Sequence, residues 1–391
     1  MPSTIKLSDA CSVGEDLNIN QFFVGRDMEL KRALEAIRQK RMVVVDGYTM
    51  AGKSYFALQC LKNLGIEVQS PSRPTFQTGI DAAPLGIFTN LNANYRENNL
   101  FESVILQVLL GTGDFKGLIS ILPMASSRRE FTQRAVALNV FGDRIPASPK
   151  IRFERVIELF EDAVNHLKSA NGRAFSLVIC LDNLNGRSLD SFFLQFINRA
   201  IKLGVQFIIT RSTPRDSSDW IEFDDQFPHS EVIHIRRMPL HEVNAIVDRI
   251  EFNLFSHFHF TVGARQLIFE LSGGLAYFVH YICGGALEVA DYIKETTIDE
   301  NLISEMTQMI RDGLYLSQFE GVFSSANRSP KQNRQLESYA SQPLSDLDFS
   351  IPFSQEGDVV PIGFLLNNGD NFLLIGSPPV QVYAKLRLGY R

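Results

Sequence analysis

Gly47-Tyr48-Thr49-Met50-Ala51-Gly52-Lys53-Ser54 is the stretch on which the reading of this chain turns. It follows a strand-like apolar run, Met42-Val43-Val44-Val45, and leads into Tyr55-Phe56-Ala57-Leu58, which reads as the start of a helix. A glycine-bearing turn that closes on Gly-Lys-Ser between a strand and a helix is the pattern of a phosphate-binding loop. Gly47 lets the chain leave the strand, and Gly52 lets the main chain approach a phosphate where a side chain would clash. The N–H groups of Tyr48, Thr49, Met50 and Ala51 are then free to wrap phosphate oxygens, and Lys53 reaches the β and γ phosphates. Ser54 can place its hydroxyl on Mg²⁺, while Tyr55 lies in the first helical turn, whose positive dipole end favours anions. A chance match in an ordinary turn is the alternative, and the flanking strand and helix count against it. ATP or ADP with Mg²⁺ is the ligand this pattern implies.

The composition is that of a globular chain with room for two or three domains: 391 residues, 45% hydrophobic and 21% charged. Cys11, Cys60, Cys180 and Cys283 are far apart and form no C-x-x-C pair, which speaks against a disulfide framework or a zinc knuckle and fits a reducing, cytoplasmic setting. No apolar run is long enough to span a membrane, and Met1 to Leu17 has no apolar signal core. A net charge of −6 argues against strong nonspecific attraction of the whole monomer to nucleic acid.

Strand and helix patterns alternate along the chain. Phe22-Phe23-Val24-Gly25-Arg26-Asp27 feeds a helix in which Leu30, Ala33, Leu34 and Ile37 recur at helical spacing. A Pro/Ser-rich loop from Ser70 to Pro84 precedes the apolar Leu85 to Phe88 and a helical Leu100 to Leu110. Lys150 to Ser169 repeats apolar positions as an amphipathic helix and delivers the chain into Phe175 to Asp182, apolar enough for a central strand covered on both faces. Asp182, at the carboxyl end of that strand, is where a phosphate-loop protein needs a carboxylate for the Mg²⁺ shell. Asp-Asn-Leu-Asn-Gly is also turn chemistry, so capping a loop is the plainer alternative. A helix over Leu189 to Lys202 and a strand over Val205 to Ile209 follow, ending in Thr210-Arg211-Ser212-Thr213, a polar tip able to reach a γ phosphate or its attacking water.

Taken together, these pieces resemble the AAA+-like ATPases, in particular the STAND signal-transduction class and the archaeal and origin-initiator ATPases. Phe23-Val24-Gly25-Arg26 and the acid after them are similar to that group's hydrophobic-Gly-Arg-acid box, which the resemblance places near the adenine. Leu177 to Asp182 is similar to its Walker B strand, and Ile208 to Arg211 to its strand-Thr-Arg sensor. Met238-Pro239-Leu240 resembles the start of the helical lid, and Leu271-Ser272-Gly273-Gly274 its Gly-Gly turn. The resemblance implies an α/β parallel-sheet core with a helical lid and a small C-terminal winged-helix domain. The divisions are a tail at 1–20, a nucleotide domain at 21–236 with an insertion at about 111–149, a lid at 237–325 and a winged helix at 326–391. In the last part Ser329 to Gln342 and Val359 to Leu366 are expected as helices, and Asn371 to Ile375 as a strand.

This sequence departs from the family pattern in three ways. Asn183 follows Asp182 where hydrolysing relatives carry an acid that orients water, so slow turnover is expected. Leu275-Ala276 follows the Gly-Gly turn with neither the STAND proline nor a second-sensor arginine; Arg265, in the preceding helix, either substitutes or is simply a solvated helix residue. No long repeat array follows the winged helix. His257-Phe258-His259 has no clustered carboxylate or thiol and is not read as a metal site. The segment Gly111 to Pro149 carries charges of both signs and reads as a solvated insertion.

Residues 326–391 hold six cations and six anions, and Val359 to Leu366 contains no Arg, Lys, Asn or Gln to meet a base edge or phosphate. A protein contact is therefore favoured over DNA reading. The expectation is a cytoplasmic ATP switch, with Lys53, Asp182, Asn183, Thr210 and Arg211 at the reacting end and Ser54 and Asp182 on the metal, acting through a homo-oligomer or an effector protein. The alternative is a DNA-associated initiator- or transposition-regulator-like ATPase.

Overall fold

The computed structural model describes residues 23–48, 51–66, 85–90, 157–158, 160–161, 164–165, 168, 176–184, 191–213, 223–254, 256–311, 366–368, 371–373, 382 and 385–386. The tail at 1–20, the Ser70 to Pro84 loop, the Leu100 to Leu110 helix, the insertion and the Ser329 to Gln342 helix lie outside them.

Helix α1 (Asp27–Arg38) turns Leu30, Ala33 and Ile37 inward, as its spacing requires, and carries Asp27 and Glu29 in its first turn, where the helix dipole favours anions. The strands are β1 (Val43–Tyr48), β2 (Leu85–Asn90), β3 (Leu177–Leu184), β4 (Val205–Thr213) and β5 (Glu231–Ile235). They form one parallel sheet in the order β2-β3-β4-β1-β5. Parallel strands need crossovers, and helices α2 (Lys53–Asn63) and α3 (Ser191–Lys202) provide cover on opposite faces. Val45, Cys180 and Ile208 share a core with α1 and α2, whereas Phe207 meets Phe196 of α3 edge-on at 6.2 Å.

β4 runs on through Thr210 to Thr213, so the tip expected beyond the strand is strand itself. Thr210 and Arg211 therefore face opposite sides of the sheet. β3 and β4 lose register between Leu181 and Leu184, and Asn183, inside that bulge, has a left-handed backbone with φ of 58°.

Four helices follow: α4 (Leu240–Asn253), α5 (Val262–Ser272), α6 (Ala276–Ile293) and α7 (Glu300–Arg311). The two-residue parallel pair β6 (His259–Phe260) and β7 (Thr297–Ile298) is woven between them. Pro239 caps α4 with extended backbone, and the Thr261 hydroxyl accepts the Ala264 N–H at 3.1 Å to cap α5. The Gly273-Gly274 turn is pinned to the segment leading into α4, with the Met238 N–H donating to the Gly274 carbonyl at 2.7 Å. Gly274 has φ of 72°, and a Cβ there would lie 2.3 Å from the Met238 carbonyl oxygen; this is a position for glycine alone. The hydrophobic core is continuous from the sheet through these helices to Val382 and Leu386. None of the described helices is long and apolar enough to cross a membrane.

Near the C-terminus, β8 (Leu366–Asn368) and β9 (Asn371–Leu373) pair as an antiparallel hairpin. The strand expected from Asn371 is present over Asn371–Leu373; residues 359–365 of the expected helix Val359 to Leu366 lie outside the described residues. Leu366 opens β8, because the Asn- and Gly-rich residues that follow favour a tight reversal over helix continuation.

Candidate nucleotide site

α2 begins directly on the phosphate-loop signature. Gly52 caps it with φ of 94° and ψ of 19°, a left-handed conformation that L side chains rarely adopt, and its carbonyl accepts the Phe56 N–H at 3.0 Å. Lys53, first in the helix, is buried, and its pKa is pushed down to about 8 by desolvation, with Asp182 and Asp46 pulling the other way.

Asp182 is fully buried at the end of β3. The Thr210 hydroxyl donates to its Oδ1 at 2.6 Å and the Asn183 amide Nδ2 to its Oδ2 at 2.9 Å, while the Asn183 backbone N–H donates to Thr210 Oγ1 at 2.8 Å. Burial raises the Asp182 carboxyl above the ordinary carboxylate range against hydrogen bonds from Thr210 and Ser54 and the charge of Lys53. Ser54 and Asp182 thus meet beside Lys53 as hard oxygen donors. That donor set suits Mg²⁺, which takes few protein ligands and completes its octahedron with water and phosphate oxygens. Among the described residues no cluster of three or more His, Cys, Asp or Glu could hold a metal.

A cavity extends from this cluster. Its floor is Ala51, Gly52, Lys53, Ser54, Tyr55 and Phe56, with Asn183 at one side and Phe23, Val24 and Arg26 at the other. Arg26 is itself left-handed (φ 64°) and buried; its guanidinium donates to the Arg236 carbonyl, and its Nε lies 3.9 Å from Glu242 Oε2. Gly25 sits against the Glu242 side chain. The box is thereby locked both to the end of β5 and to α4.

The remaining wall is Met238, from the expected lid entry, with residues not expected at the site: Ile235, Ile246 and, from the first two turns of α6, Ala276, Tyr277 and His280. Tyr277 stacks parallel on Tyr281 at 6.4 Å, and burial pushes the His280 imidazole down to about 4, so the ring is neutral. Ala276 is the neighbour that a Cβ on Gly52 would meet, at 3.8 Å, so α6 starts directly against the phosphate loop.

Of the sequence-expected residues, Phe23, Val24, Arg26, Ala51, Gly52, Lys53, Ser54, Tyr55 and Asn183 line the cavity, and Asp182 and Thr210 bond to that lining. Gly47 packs against Ile235 at the end of β1, and Tyr48 ends that strand; Thr49 and Met50 lie outside the described residues. Arg211 lies apart from these residues. Its guanidinium is buried on the α3 face of the sheet, at 2.8 Å from Asp224 and 3.4 Å from Asp46, and it is not part of the cavity wall. Arg265 is largely buried and outside the cavity lining: it clamps Asp248 at 2.6 Å and Glu251 at 2.9 Å, and its Nε donates to the Phe260 carbonyl.

No protein-family model matches the sequence, and no curated protein matches it. Solved structures do. The Orc1 protein of Aeropyrum pernix, solved in complex with DNA, is 12% identical over 87% of this chain and 83% of its own, with a TM-score of 0.48. Cdc6p of Pyrobaculum aerophilum is 14% identical over 86% of each chain, with a TM-score of 0.48. The RuvB protein of Thermotoga maritima, in its R170A form, is 13% identical over 82% of this chain and 79% of its own, with a TM-score of 0.43.

Proposed function

We propose that this chain binds ATP and ADP with Mg²⁺ in the cavity beside the phosphate loop and acts as a slow AAA+/STAND-type molecular switch. The observation that carries this reading is the convergence on one cavity of the phosphate loop, the buried Asp182 cluster, the Phe23–Arg26 box and the start of α6. Lys53 and the loop amides hold the phosphates. The apolar and aromatic wall of Phe23, Val24, Ile246 and Tyr277 suits a purine face. Ser54 and Asp182 would hold Mg²⁺, whose positive charge would offset that of the phosphates.

Slow turnover follows from the residue beside Asp182. Asn183 is an amide committed to the Asp182 carboxylate and has no basic group with which to polarise water. Because the cavity is walled by both the sheet and α6, a bound nucleotide touches both and favours the arrangement that keeps them together. Ligand far above its Kd biases such an equilibrium by about 3 to 4 kcal/mol. In this reading the two arrangements govern assembly with a second copy or with an effector protein.

Calorimetric titration with Mg-ATP tests the proposal. Wild type is expected to bind and Lys53→Ala to lose binding while keeping its fold by circular dichroism. Equal affinity in the two proteins would mean that the loop is not a phosphate site.

A further inference from the structure

We propose that Arg211 is a positioning residue for the phosphate loop: it neutralises Asp46 at the foot of that loop, so that a buried carboxylate does not repel the bound triphosphate, and anchors Asp46 to Asp224. This rests on the nucleotide reading and adds to it a role for a residue outside the cavity.

Asp46 sits immediately before Gly47, with its side chain 2% exposed. In the sheet register it stands directly between Arg211 of β4 and His234 of β5, and neighbours in register on parallel strands present their side chains to the same face. The two arms of the Arg211 guanidinium divide the work, Nη2 reaching Asp46 Oδ2 at 3.4 Å and Nη1 reaching Asp224 Oδ1 at 2.8 Å. His234 Nδ1 lies 3.9 Å from the same Asp46 oxygen. Asp224 belongs to the helical turn 223–226, flanked by Phe223 and Phe227, whose rings pack 4.9 Å apart. The result is a polar row under the loop, on the face of the sheet away from the cavity, buried at Asp46 and Arg211 and partly exposed at Asp224 and His234.

Asp46 directly precedes Gly47, the first residue of the phosphate loop, and is shielded from solvent, so its charge acts on whatever the loop holds. A field that favours an ammonium there disfavours a phosphate by the same Coulombic logic. Arg211 offsets that field without touching ligand. A second carboxylate, Asp224, holds the guanidinium in place, so the offset does not depend on nucleotide being bound.

The test is calorimetry of Mg-ATP and of adenosine at fixed salt and pH 6, well below the Lys53 transition near 8, on wild type, Arg211→Gln, Asp46→Asn and the double variant, each checked for fold by circular dichroism. Arg211→Gln is expected to weaken Mg-ATP about tenfold, as one unscreened charge nearby in a partly polar medium implies, and to leave adenosine unchanged. The double variant should return to within a few-fold of wild type, and Asp46→Asn alone should bind Mg-ATP more tightly. That last variant keeps the test decisive if Arg211→Gln does not fold. Equal losses for adenosine and Mg-ATP, a double variant weaker than Arg211→Gln, or weaker Mg-ATP binding by Asp46→Asn would each overturn the inference. A wild type that binds neither ligand would instead overturn the nucleotide reading, and this role with it.

Discussion

Thr210→Val removes one hydroxyl and almost no volume, yet that hydroxyl serves two buried partners. It donates to Asp182 Oδ1 at 2.6 Å and accepts the Asn183 N–H at 2.8 Å, on a side chain with no exposed surface. A hydrogen bond to a charged acceptor is worth about 1.5 to 3 kcal/mol, and a buried N–H left without an acceptor costs about 1 to 3 kcal/mol. Relaxation of the bulge at Asn183 recovers part of this, so the net loss should be about 2 to 4 kcal/mol. Thr210→Ser keeps the hydroxyl and should lose about 1 kcal/mol, for the missing methyl group. Urea titration of both variants, followed by circular dichroism, measures the difference in midpoint. The Asp182 carboxyl should also rise further, since one of the bonds that favours its ionised form is gone, and Thr210→Val should lose additional stability at neutral pH relative to acid. A Thr210→Val protein within about 0.5 kcal/mol of wild type, the ordinary range for a surface substitution, would mean that the hydroxyl does not bridge Asp182 and Asn183.

Three further outcomes are expected. Affinity for Mg-ATP should fall as pH rises through about 8, because buried Lys53 loses its proton there and phosphate restores it; at pH 8 binding should take up about half a proton, measurable by calorimetry in buffers of different ionisation enthalpy. His280, held near 4 in the folded chain against 6.5 when exposed, leaves the unfolded chain binding the extra proton between those values. Stability is therefore lost as pH falls through that window, by up to about 3 kcal/mol, and His280→Gln should flatten this part of the urea-midpoint profile. Gly274→Ala places a methyl group against the Met238 carbonyl in a left-handed conformation, which should cost about 2 kcal/mol or more; thermal unfolding checks it, and an unchanged midpoint would mean that the Gly-Gly turn is not pinned to Met238.

The parts of the site that were legible in the sequence are those held by local pattern. Gly52, Lys53 and Ser54 follow a strand and open a helix; Asp182 ends an apolar run; Phe23 to Arg26 precede an amphipathic helix. Tyr277 and His280 were not legible, because α6 is rich in apolar residues over most of its length and nothing in such a pattern says which turn faces a cavity. β5, Glu231-Val232-Ile233-His234-Ile235, is short and carries two polar residues, too weak a signal next to the neighbouring apolar runs. Arg211 is a different case. Strand alternation already requires Thr210 and Arg211 to point apart, so only one of them can reach a site on the α2 side, and the acid that takes the other stands beside it on β1. Arg265 was ambiguous because its partners, Asp248 and Glu251, lie on another helix, a pairing that spacing within one helix cannot reveal.

The left-handed backbone at Asn183 limits what evolution can place there. Asparagine, aspartate and glycine occupy that conformation readily, whereas glutamate and branched residues are strained in it. A chain of this design gains a carboxylate beside Asp182 most readily as aspartate, and asparagine and aspartate codons differ by a single base. A carboxylate beside Asp182 is thus one substitution away from this sequence, in a change that leaves the bulge, the Thr210 bridge and the cavity in place.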